Sequence, residues 1–508
     1  MQTRMESPDA DAASRTTARG FFLALAVISV LATVAALRYR YGFGLTLDEP
    51  FVANTTRLPW REIWRMFGID NVPLLYVLLK VWTGVFGESE LALRSLSSVA
   101  YGGAVFLTGL SARRIAGSSA GVAAALLMAA SDKVGLEYAA TVRSYALLAC
   151  LSALAMWQTM RLLDVSHGSR REVVALILTH ALGMFAHPSY GALALAFGCA
   201  GFVATRRVTA PVCFGPVVAV LLYGILWSSM ILATVHLQTT SWMWRAHGSD
   251  IQRAYLALWG IGPGFIIVGA VLAIVTARFA RTADILRIAK ARWIVSAAVL
   301  SWLIPIAISQ LKPVFEAGRS PMLLLPVTSA AVASLFAVYG APLTAVAVAS
   351  CCLVASVHRV QTASRSDPSP SRRAFEELLA KTSCGDTIIA PGVSGQTAAY
   401  YLRRLGATDC LTLEVFPRDP YDVFANWTAR YNDPTVRRRL EAEADLIAAR
   451  ATSVHRTVWL LGFSHWDTQE ACDLMERALT RRASCEAPRP MQGAFVDRVQ
   501  RCTPPAAP

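Results

Sequence analysis

Two adjacent acids, Asp48 and Glu49, follow the first long apolar segment of the chain. Carboxylates just beyond a membrane helix can act as a general base, bind a metal ion, or simply form a polar cap. Composition alone favours the cap, because acids are common in loops. The segment from about residue 38 to residue 90 is, however, far too long for a simple connection between two helices. The structure predicted for the rest of this segment therefore indicates which of these roles applies.

A short amphipathic helix is predicted directly after the acid pair. Apolar residues recur there at spacings of three and four, and arginines recur every four residues on another face. The apolar set is Trp60, Ile63, Trp64 and Phe67, and the basic set is Arg57, Arg61 and Arg65. This pattern is typical of a helix in the membrane interface, with its rings in lipid and its guanidiniums among the headgroups. The next apolar run, to Phe86, is short for a span, so it is predicted to be a juxtamembrane helix.

The composition of the whole chain is that of a membrane protein. Of its 508 residues, 55% are hydrophobic and 16% are charged, whereas a soluble protein has about 45–50% apolar and about 25% charged residues. These values exclude a disordered chain and a soluble α/β enzyme. Apolar runs of near-span length predict about eleven transmembrane helices within residues 21–360.

Basic residues predict the orientation of these helices. The chain has 48 Lys and Arg against 34 Asp and Glu, a net charge of +14. With residues 1–20 in the cytoplasm, four basic loops also lie on the cytoplasmic side, as the positive-inside rule requires. They contain Arg113-Arg114, Arg170-Arg171, Arg206-Arg207 and the run from Arg278 to Arg292. The predicted location is the inner (plasma) membrane, with loop 38–90 and the C-terminal region extracytoplasmic or periplasmic.

The C-terminal region has the pattern of a separate soluble domain. A polar, proline-containing linker is predicted at residues 361–372, and an extracytoplasmic α/β domain at residues 373–508. Strands are predicted at 386–390 and 457–461, and helices at 395–405 and 468–482. This domain holds five cysteines. In an oxidising compartment they can form two disulfides with one cysteine left over, or they can stay unpaired.

Several segments of the chain carry motifs in a recognisable order. The acid pair and its amphipathic helix lead into D-N-x-P-L-L-Y from Asp70 and F-G-E-S-E-x-A-L-R-S-L-S-S from Phe86. Further segments follow at Val142 to Leu147, at His187 to Tyr190 and at Lys312 to Arg319. In this order they resemble the GT-C superfamily of membrane glycosyltransferases. The nearest branch is the protein O-mannosyltransferase-like one, which includes the lipid A aminoarabinose transferase, and the similarity covers residues 20 to about 340.

The resemblance implies a polytopic α-helical, GT-C-like fold and an inverting glycosyltransferase. A sugar would pass from a polyprenyl-phosphate donor to an acceptor hydroxyl on the extracytoplasmic side. The predicted catalytic residues are Asp48, as the base, and Glu49, which would orient it or the sugar hydroxyls. The leaving phosphate needs cationic partners, and the candidates are Arg319, Lys312, Arg143 and Lys80. The residues predicted to line the cavity are Glu137, Tyr145, Asp70, Tyr76 and His187.

The resemblance also implies the partners of such an enzyme. They are the donor lipid, the membrane and a glycan, lipid or protein acceptor, with no nucleic acid among them. No cofactor is required, and a metal is not indicated, because no carboxylate cluster beyond the acid pair is visible in the sequence. The C-terminal domain is expected to cover the catalytic cavity and to help select or hold the acceptor.

Three other functions remain open from the sequence. A transporter or lipid flippase would carry acids and broken helices near the membrane centre, whereas the polar residues here gather at one face. A sensor or scaffold would not need an amphipathic loop with paired acids. An oligosaccharide ligase would use a lipid-diphosphate donor, and the sequence does not separate it from a monophosphate-dependent enzyme.

Overall fold

A computed structural model of the protein describes most of the chain. The described residues are 8–46, 48–66, 73–164, 169–228, 247–259, 289–311, 319–339, 346–347, 349–354, 357, 371–418, 432–463, 469–493 and 496–506. Two predicted site residues, Asp70 and Lys312, lie outside these ranges, as does most of the predicted linker 361–372.

The N-terminal part of the protein is helical. Its helices are α1 (Pro8–Tyr39), α2 (Glu49–Thr55), α3 (Trp60–Met66), α4 (Leu74–Phe86), α5 (Glu90–Ala129), α6 (Glu137–Ala139), α7 (Tyr145–Asp164), α8 (Arg170–Ala186), α9 (Tyr190–Thr205), α10 (Pro211–Leu226), α11 (Gly248–Trp259), α12 (Ala289–Leu311) and α13 (Pro321–Tyr339). A π-helical turn, Asp132–Leu136, precedes α6.

Within the described residues, five helices are long and apolar enough to cross a membrane. They are Ala18–Tyr39 of α1, then α5, α7 and α12, and Pro321–Val338 of α13. Three shorter apolar helices, α4, α9 and α10, accompany them. The protein is thus a multi-pass membrane protein, as predicted, although the number of eleven spans is not confirmed.

Helix α5 reverses its direction part-way along its length. Ala116 and Gly117 leave the helical conformation, and Gly117 has a φ of +86°, which a glycine adopts without a steric penalty. The two halves then run side by side with their backbones in close contact. A Cβ atom on Gly109 would lie 3.0 Å from the carbonyl oxygen of Gly121, and one on Gly121 would lie 2.8 Å from that of Gly109. This hairpin accounts for a turn directly after the basic pair Arg113-Arg114.

The three short helices of loop 38–90 have clear start and stop signals. Pro50 lies in the first turn of α2, where proline is favoured, and Pro59 and Pro73 directly precede α3 and α4. Gly87, with a φ of +79°, ends α4. Helix α4 has 13 residues, which at 1.5 Å per residue gives about 20 Å, short of the roughly 30 Å hydrocarbon core. The length therefore agrees with a juxtamembrane helix.

The C-terminal region folds around one mixed sheet. Its elements are α14 (Ser371–Leu379), β1 (Thr387–Pro391), α15 (Ser394–Arg404), β2 (Thr412–Phe416), α16 (Pro434–Ser453), β3 (Val458–Gly462), α17 (Gln469–Thr480), β4 (Ser484–Cys485), β5 (Arg489–Gly493) and β6 (Val496–Thr503). The strand order is β2-β1-β3-β6-β4, with β5 also paired to β6. Strands β2, β1 and β3 are parallel, and β6 runs antiparallel to β3.

The predicted α/β character of this domain is confirmed. Both predicted strands and both predicted helices are present, with ends shifted by no more than about two residues. The five cysteines form two disulfides, Cys384–Cys410 and Cys485–Cys502, and leave Cys472 free and buried. Helix α14 begins at Ser371, inside the segment predicted as linker.

The C-terminal domain packs directly on loop 38–90 through a shared apolar cluster. Leu45 and Phe51 from the loop lie in the same cluster as Phe375, Tyr400 and Tyr401 from the domain. The rings of Phe375 and Tyr401 are stacked, with centroids 5.4 Å apart. Burial of apolar surface is favourable by about 25 cal/mol per Å², so this cluster contributes to holding the domain against the loop that carries the acid pair.

Candidate active site

The two adjacent acids have opposite environments. Asp48 directly precedes α2, and its side chain makes no capping hydrogen bond there. Instead, its Oδ2 lies 3.1 Å from Nη1 of Arg143, and 38% of the side chain is exposed. The carboxylate of Asp48 therefore forms a salt bridge but is still accessible from outside the protein.

Glu49 is buried and fixed on all sides. It is 1% exposed, and its carboxylate accepts hydrogen bonds from the backbone N–H of Thr46 at 2.6 Å and of Val142 at 2.8 Å. Arg94 donates two more, from Nε at 3.2 Å and Nη2 at 2.9 Å. Burial alone would raise the pKa of Glu49, but the charge and hydrogen bonds of Arg94 outweigh it and hold the pKa below its ordinary value. Glu49 thus stays ionised and ties three parts of the chain together.

Arg94 is the residue that organises the segment between α1 and α2. Its guanidinium has five N–H donors, and each has an acceptor. Two go to Glu49, Nη1 reaches the carbonyls of Arg40 at 3.2 Å and Phe43 at 2.9 Å, and Nη2 reaches that of Gly44 at 2.7 Å. The sequence reasoning did not single out Arg94. Its signal was an arginine four residues into a long apolar helix, inside the motif that starts at Phe86.

The segment before α7 brings the first cation to Asp48. The N–H of Val142 is held by Glu49, and this contact places the next residue, Arg143, beside Asp48. The guanidinium carbon of Arg143 lies 6.0 Å from the ring centroid of Tyr145, the first residue of α7. Buried Glu49 therefore positions both members of the exposed ion pair. It positions Asp48 as its direct neighbour in the chain, and it positions Arg143 through the hydrogen bond to the N–H of Val142.

A second cation reaches the same place from the start of α13. Nη1 of Arg319 donates to the hydroxyl of Tyr145 at 3.4 Å. The Tyr145 ring also meets Tyr138 edge-to-face at 5.0 Å and lies 6.2 Å from the ring of His187. His187 lies in the turn between α8 and α9, where burial and the charges of Arg143 and Arg319 lower its pKa to about 4. The imidazole is therefore neutral at pH 7.

Among the residues that the structure describes, the charges of this group leave a positive excess. One accessible carboxylate, Asp48, stands against the two guanidiniums of Arg143 and Arg319, and the neighbouring His187 is neutral. An anion with several oxygen acceptors fits such a group, because guanidiniums form charge-assisted hydrogen bonds with phosphate oxygens. The structure thus brings together five residues that the sequence predicted for one site, namely Asp48, Arg143, Arg319, Tyr145 and His187.

Three other predicted residues have partners of their own. Nζ of Lys80 donates to the carbonyls of Thr56 at 2.9 Å and Leu58 at 2.8 Å, and lies over the Trp60 ring. Tyr76 is buried in the apolar cluster of loop 38–90. Glu137 is half-exposed and 3.8 Å from Nη2 of Arg40. Lys80 therefore braces the turn after α2, and its predicted contact with phosphate stays a prediction.

Metal ligands do not gather at this site in the part of the chain that the structure describes. No three His, Cys, Asp or Glu side chains come together among those residues. Glu49 is fully engaged with Arg94, so Asp48 is the accessible carboxylate of the pair.

Comparison with known proteins supplies the identity of the fold. Neither a protein-family model nor a curated protein sequence matches the chain. Among solved structures, ArnT from Cupriavidus metallidurans bound to undecaprenyl phosphate matches with a TM-score of 0.60 and 13% identity, over 94% of this chain and 97% of ArnT. The apo form of the same ArnT gives a TM-score of 0.61 over 96% and 98% of the two chains. The chain has the fold of this ArnT.

The ArnT likeness extends over both parts of the molecule. Because it covers 94% of the chain, it includes the helical module, loop 38–90 and the C-terminal domain together. The GT-C fold class predicted from the sequence is therefore confirmed. A weaker match, with a TM-score of 0.45 and 12% identity over 90% of this chain and 72% of the other, is to the oligosaccharyltransferase AglB from Archaeoglobus fulgidus in complex with an inhibitory peptide and a dolichol-phosphate.

Proposed function

We propose that the protein is an inverting membrane glycosyltransferase that uses a polyprenyl-phosphate-linked sugar. The observation that carries this proposal is the pairing of the accessible Asp48 carboxylate with Arg143, with Arg319 close by. A base and cations for a phosphate thus lie side by side at one end of the helical module. The ArnT of the same fold was crystallised with undecaprenyl phosphate, which supports a lipid phosphate as the anion.

Each group has a defined part in the proposed reaction. Asp48 accepts the proton of the acceptor hydroxyl as its oxygen attacks the anomeric carbon of the sugar. The bond between that carbon and the phosphate oxygen breaks at the same time, with inversion, and polyprenyl phosphate leaves with an additional negative charge. Arg143 and Arg319 stabilise this charge. Lys312, which precedes Arg319 in the same motif, remains a further candidate.

Glu49 takes a positioning role in this proposal. It is too buried to contact a sugar, and its carboxylate is already occupied by Arg94, Thr46 and Val142. Glu49 acts by holding the chain next to Asp48 and next to Arg143 in place, through its hydrogen bonds to Thr46 and Val142. Placement errors of about 1 Å can cost on the order of 100-fold in rate, so a rigid support next to the base matters to turnover.

The proposed site faces the extracytoplasmic side of the membrane. Two features support this orientation. The basic loops fall on the opposite side when the N-terminus is cytoplasmic, and the C-terminal domain next to the site contains two disulfides, which persist in oxidising compartments. The transferred sugar is proposed to be a hexose or a pentose, and the acceptor a glycan, lipid or protein hydroxyl.

The proposal is tested in proteoliposomes with a panel of donors. The panel contains polyprenyl-phosphate hexoses and pentoses and, separately, polyprenyl-diphosphate glycans, each with a radiolabelled sugar. Transfer from at least one monophosphate donor by the wild type, and its loss in Asp48→Asn, is the expected result. Transfer from diphosphate donors alone would show a ligase instead. Movement of lipid between leaflets without any transfer would show a flippase.

A further inference from the structure

The C-terminal domain holds both polar groups of one peptide residue close to Asp48. The N–H of Leu45 donates to the hydroxyl of Tyr401 at 2.6 Å, and the Leu45 carbonyl accepts from Oγ of Ser371 at 3.3 Å. Leu45 and Tyr401 are fully buried. A buried backbone group without a hydrogen-bond partner is unfavourable, so the domain supplies contacts that this segment needs.

Further polar backbone groups of the same segment are hydrogen-bonded to Arg94 and Glu49. Arg94 binds the carbonyls of Phe43 and Gly44, and Glu49 accepts from the N–H of Thr46. The backbone from Phe43 to Thr46 is therefore fixed partly from within the helical module and partly by the C-terminal domain. Asp48 follows two residues later.

The far end of α2 is attached to the same domain. Nδ2 of Asn54 donates to the side-chain and backbone oxygens of Gln396 at 3.0 and 2.8 Å. In return, Nη2 of Arg403 donates to Oδ1 of Asn54 at 3.1 Å. Gln396, Tyr401 and Arg403 all belong to α15, so this one helix holds both the entrance and the exit of the short helix that Asp48 begins.

We propose that Tyr401 is a positioning residue for Asp48, through its hydrogen bond to the N–H of Leu45. This inference rests on the proposed function, in which Asp48 is the base. Tyr401 does not contact substrate; it keeps the Phe43–Thr46 segment in the place that sets Asp48 beside Arg143. The C-terminal domain therefore takes part in positioning the base.

A pair of adjacent tyrosines provides the matched test. Tyr401→Phe removes the hydroxyl that Leu45 contacts but keeps the ring, which stacks on Phe375. Tyr400→Phe is the control, because the hydroxyl of Tyr400 also binds the loop, at the carbonyl of Glu88 (3.1 Å), away from Asp48. Both variants are purified as full chains and reconstituted in parallel with the wild type.

Two readouts separate positioning from simple loss of stability. We expect Tyr401→Phe to lower kcat about tenfold with little change in the KM for the donor lipid, whereas Tyr400→Phe stays within about twofold of the wild type. Hydrogen–deuterium exchange of peptides covering residues 43–46 should be faster in Tyr401→Phe only. The melting temperatures of both variants are recorded, so that assays run on folded protein.

Two results would overturn the inference. One is unchanged exchange in the 43–46 peptides of Tyr401→Phe, which would mean that the hydroxyl does not hold the segment. The other is faster exchange with an unchanged kcat, which would mean that the held segment does not set the base. Absence of transfer by the wild type from every monophosphate donor would instead reject the proposed function, while the exchange experiment would still report on the contact itself.

Discussion

The two ends of α7 carry charge clusters that look alike in composition but differ in geometry. At its start is the Asp48 cluster, formed by Asp48, Arg143 and Arg319. At its end is the Asp164 cluster, formed by Asp164, Arg114 and Lys290. Each contains one acid and two cations, and 20 residues of helix place the two clusters about 30 Å apart.

The difference lies in how the cations are placed around the acid. Both carboxylate oxygens of Asp164 are taken, Oδ2 by Arg114 at 2.6 Å and Oδ1 by Lys290, which also donates to the Arg114 carbonyl at 2.9 Å. This cluster links α5, α7 and α12 and has a structural role. In the Asp48 cluster, Arg143 contacts Asp48 while Arg319 reaches a tyrosine hydroxyl. The cations there do not converge on the acid, and this is the arrangement that suits an anionic substrate.

Exchanging the same acid for its amide at both clusters should give the largest contrast. We expect Asp48→Asn to lower kcat by about 10²–10⁴-fold, the usual contribution of a general base, with a melting temperature close to the wild type. Asp164→Asn should do the reverse and lower the melting temperature while kcat is kept. Transfer assays in proteoliposomes and thermal unfolding in detergent measure the two effects. Equal turnover by Asp48→Asn and the wild type would remove Asp48 as the base.

Neutralising the buried Glu49 carboxylate should lower the free energy of unfolding. Glu49→Gln leaves Arg94 buried without its counter-charge, and breaking a buried pair in this way costs about 3–5 kcal/mol. Glu137→Gln is the control, because the half-exposed Glu137–Arg40 contact is worth about 1 kcal/mol or less. The free energies of unfolding of both variants are compared at pH 7. A loss for Glu49→Gln no larger than the control's would contradict the geometry.

The lowered pKa of Glu49 also predicts how the stability of the protein depends on pH. The folded-state pKa of Glu49 is below its ordinary value of 4.5, so its contribution is complete above that value and is lost as the pH falls through the folded-state pKa. Wild-type stability should therefore decrease more steeply below about pH 4.5 than that of Glu49→Gln. Parallel curves for the two proteins would argue against a depressed pKa.

Removing the second cation should have a smaller, more specific effect. Arg319→Ala is expected to raise the KM for the donor lipid about 10- to 100-fold and to lower kcat as well, since a hydrogen bond to a charged group contributes about 1.5–3 kcal/mol and the charge on the phosphate increases as it leaves. Arg114→Ala, at the opposite end of α7, is the matched control and should leave that KM unchanged. Equal donor KM values for the two variants would place the lipid phosphate elsewhere.

The smallest effect is expected at Lys80. Its ammonium is occupied by two carbonyls and the Trp60 ring, so Lys80→Met should lower stability by about 1 kcal/mol and leave the donor KM within about twofold. A rise in donor KM comparable to that of Arg319→Ala would instead confirm the sequence prediction that Lys80 binds the phosphate.

The fold was largely predictable because its signals are local. Apolar runs, basic pairs and the proline and glycine positions around α3 and α4 all act within a few residues of the structure they specify. The reversal in α5 shows the limit of this reasoning. The contact of Gly109 with Gly121 lets two apolar segments run on as one element with a tight turn, so the number of spans does not follow from length alone.

The proximity of five candidate site residues was predictable from the sequence, but their separate environments were not. Asp48, Arg143, Arg319, Tyr145 and His187 meet as expected, because their motifs end or begin helices at the same end of the bundle. The sequence could not show which acid of the pair is buried, since that depends on Arg94, 45 residues away from Glu49. Nor could it show that Lys80 faces carbonyls of its own loop.

The Leu45–Tyr401 hydrogen bond also has a consequence for biosynthesis. Tyr401 lies 356 residues after Leu45 in the chain. At about 5–20 residues per second, the ribosome adds Tyr401 roughly 20–70 s after Leu45. Glu49 and Arg94, like Asp48 and Arg143, have by then long been made. A chain interrupted at any point between Glu49 and Tyr401 carries the acid pair but lacks the hydroxyl that Leu45 contacts.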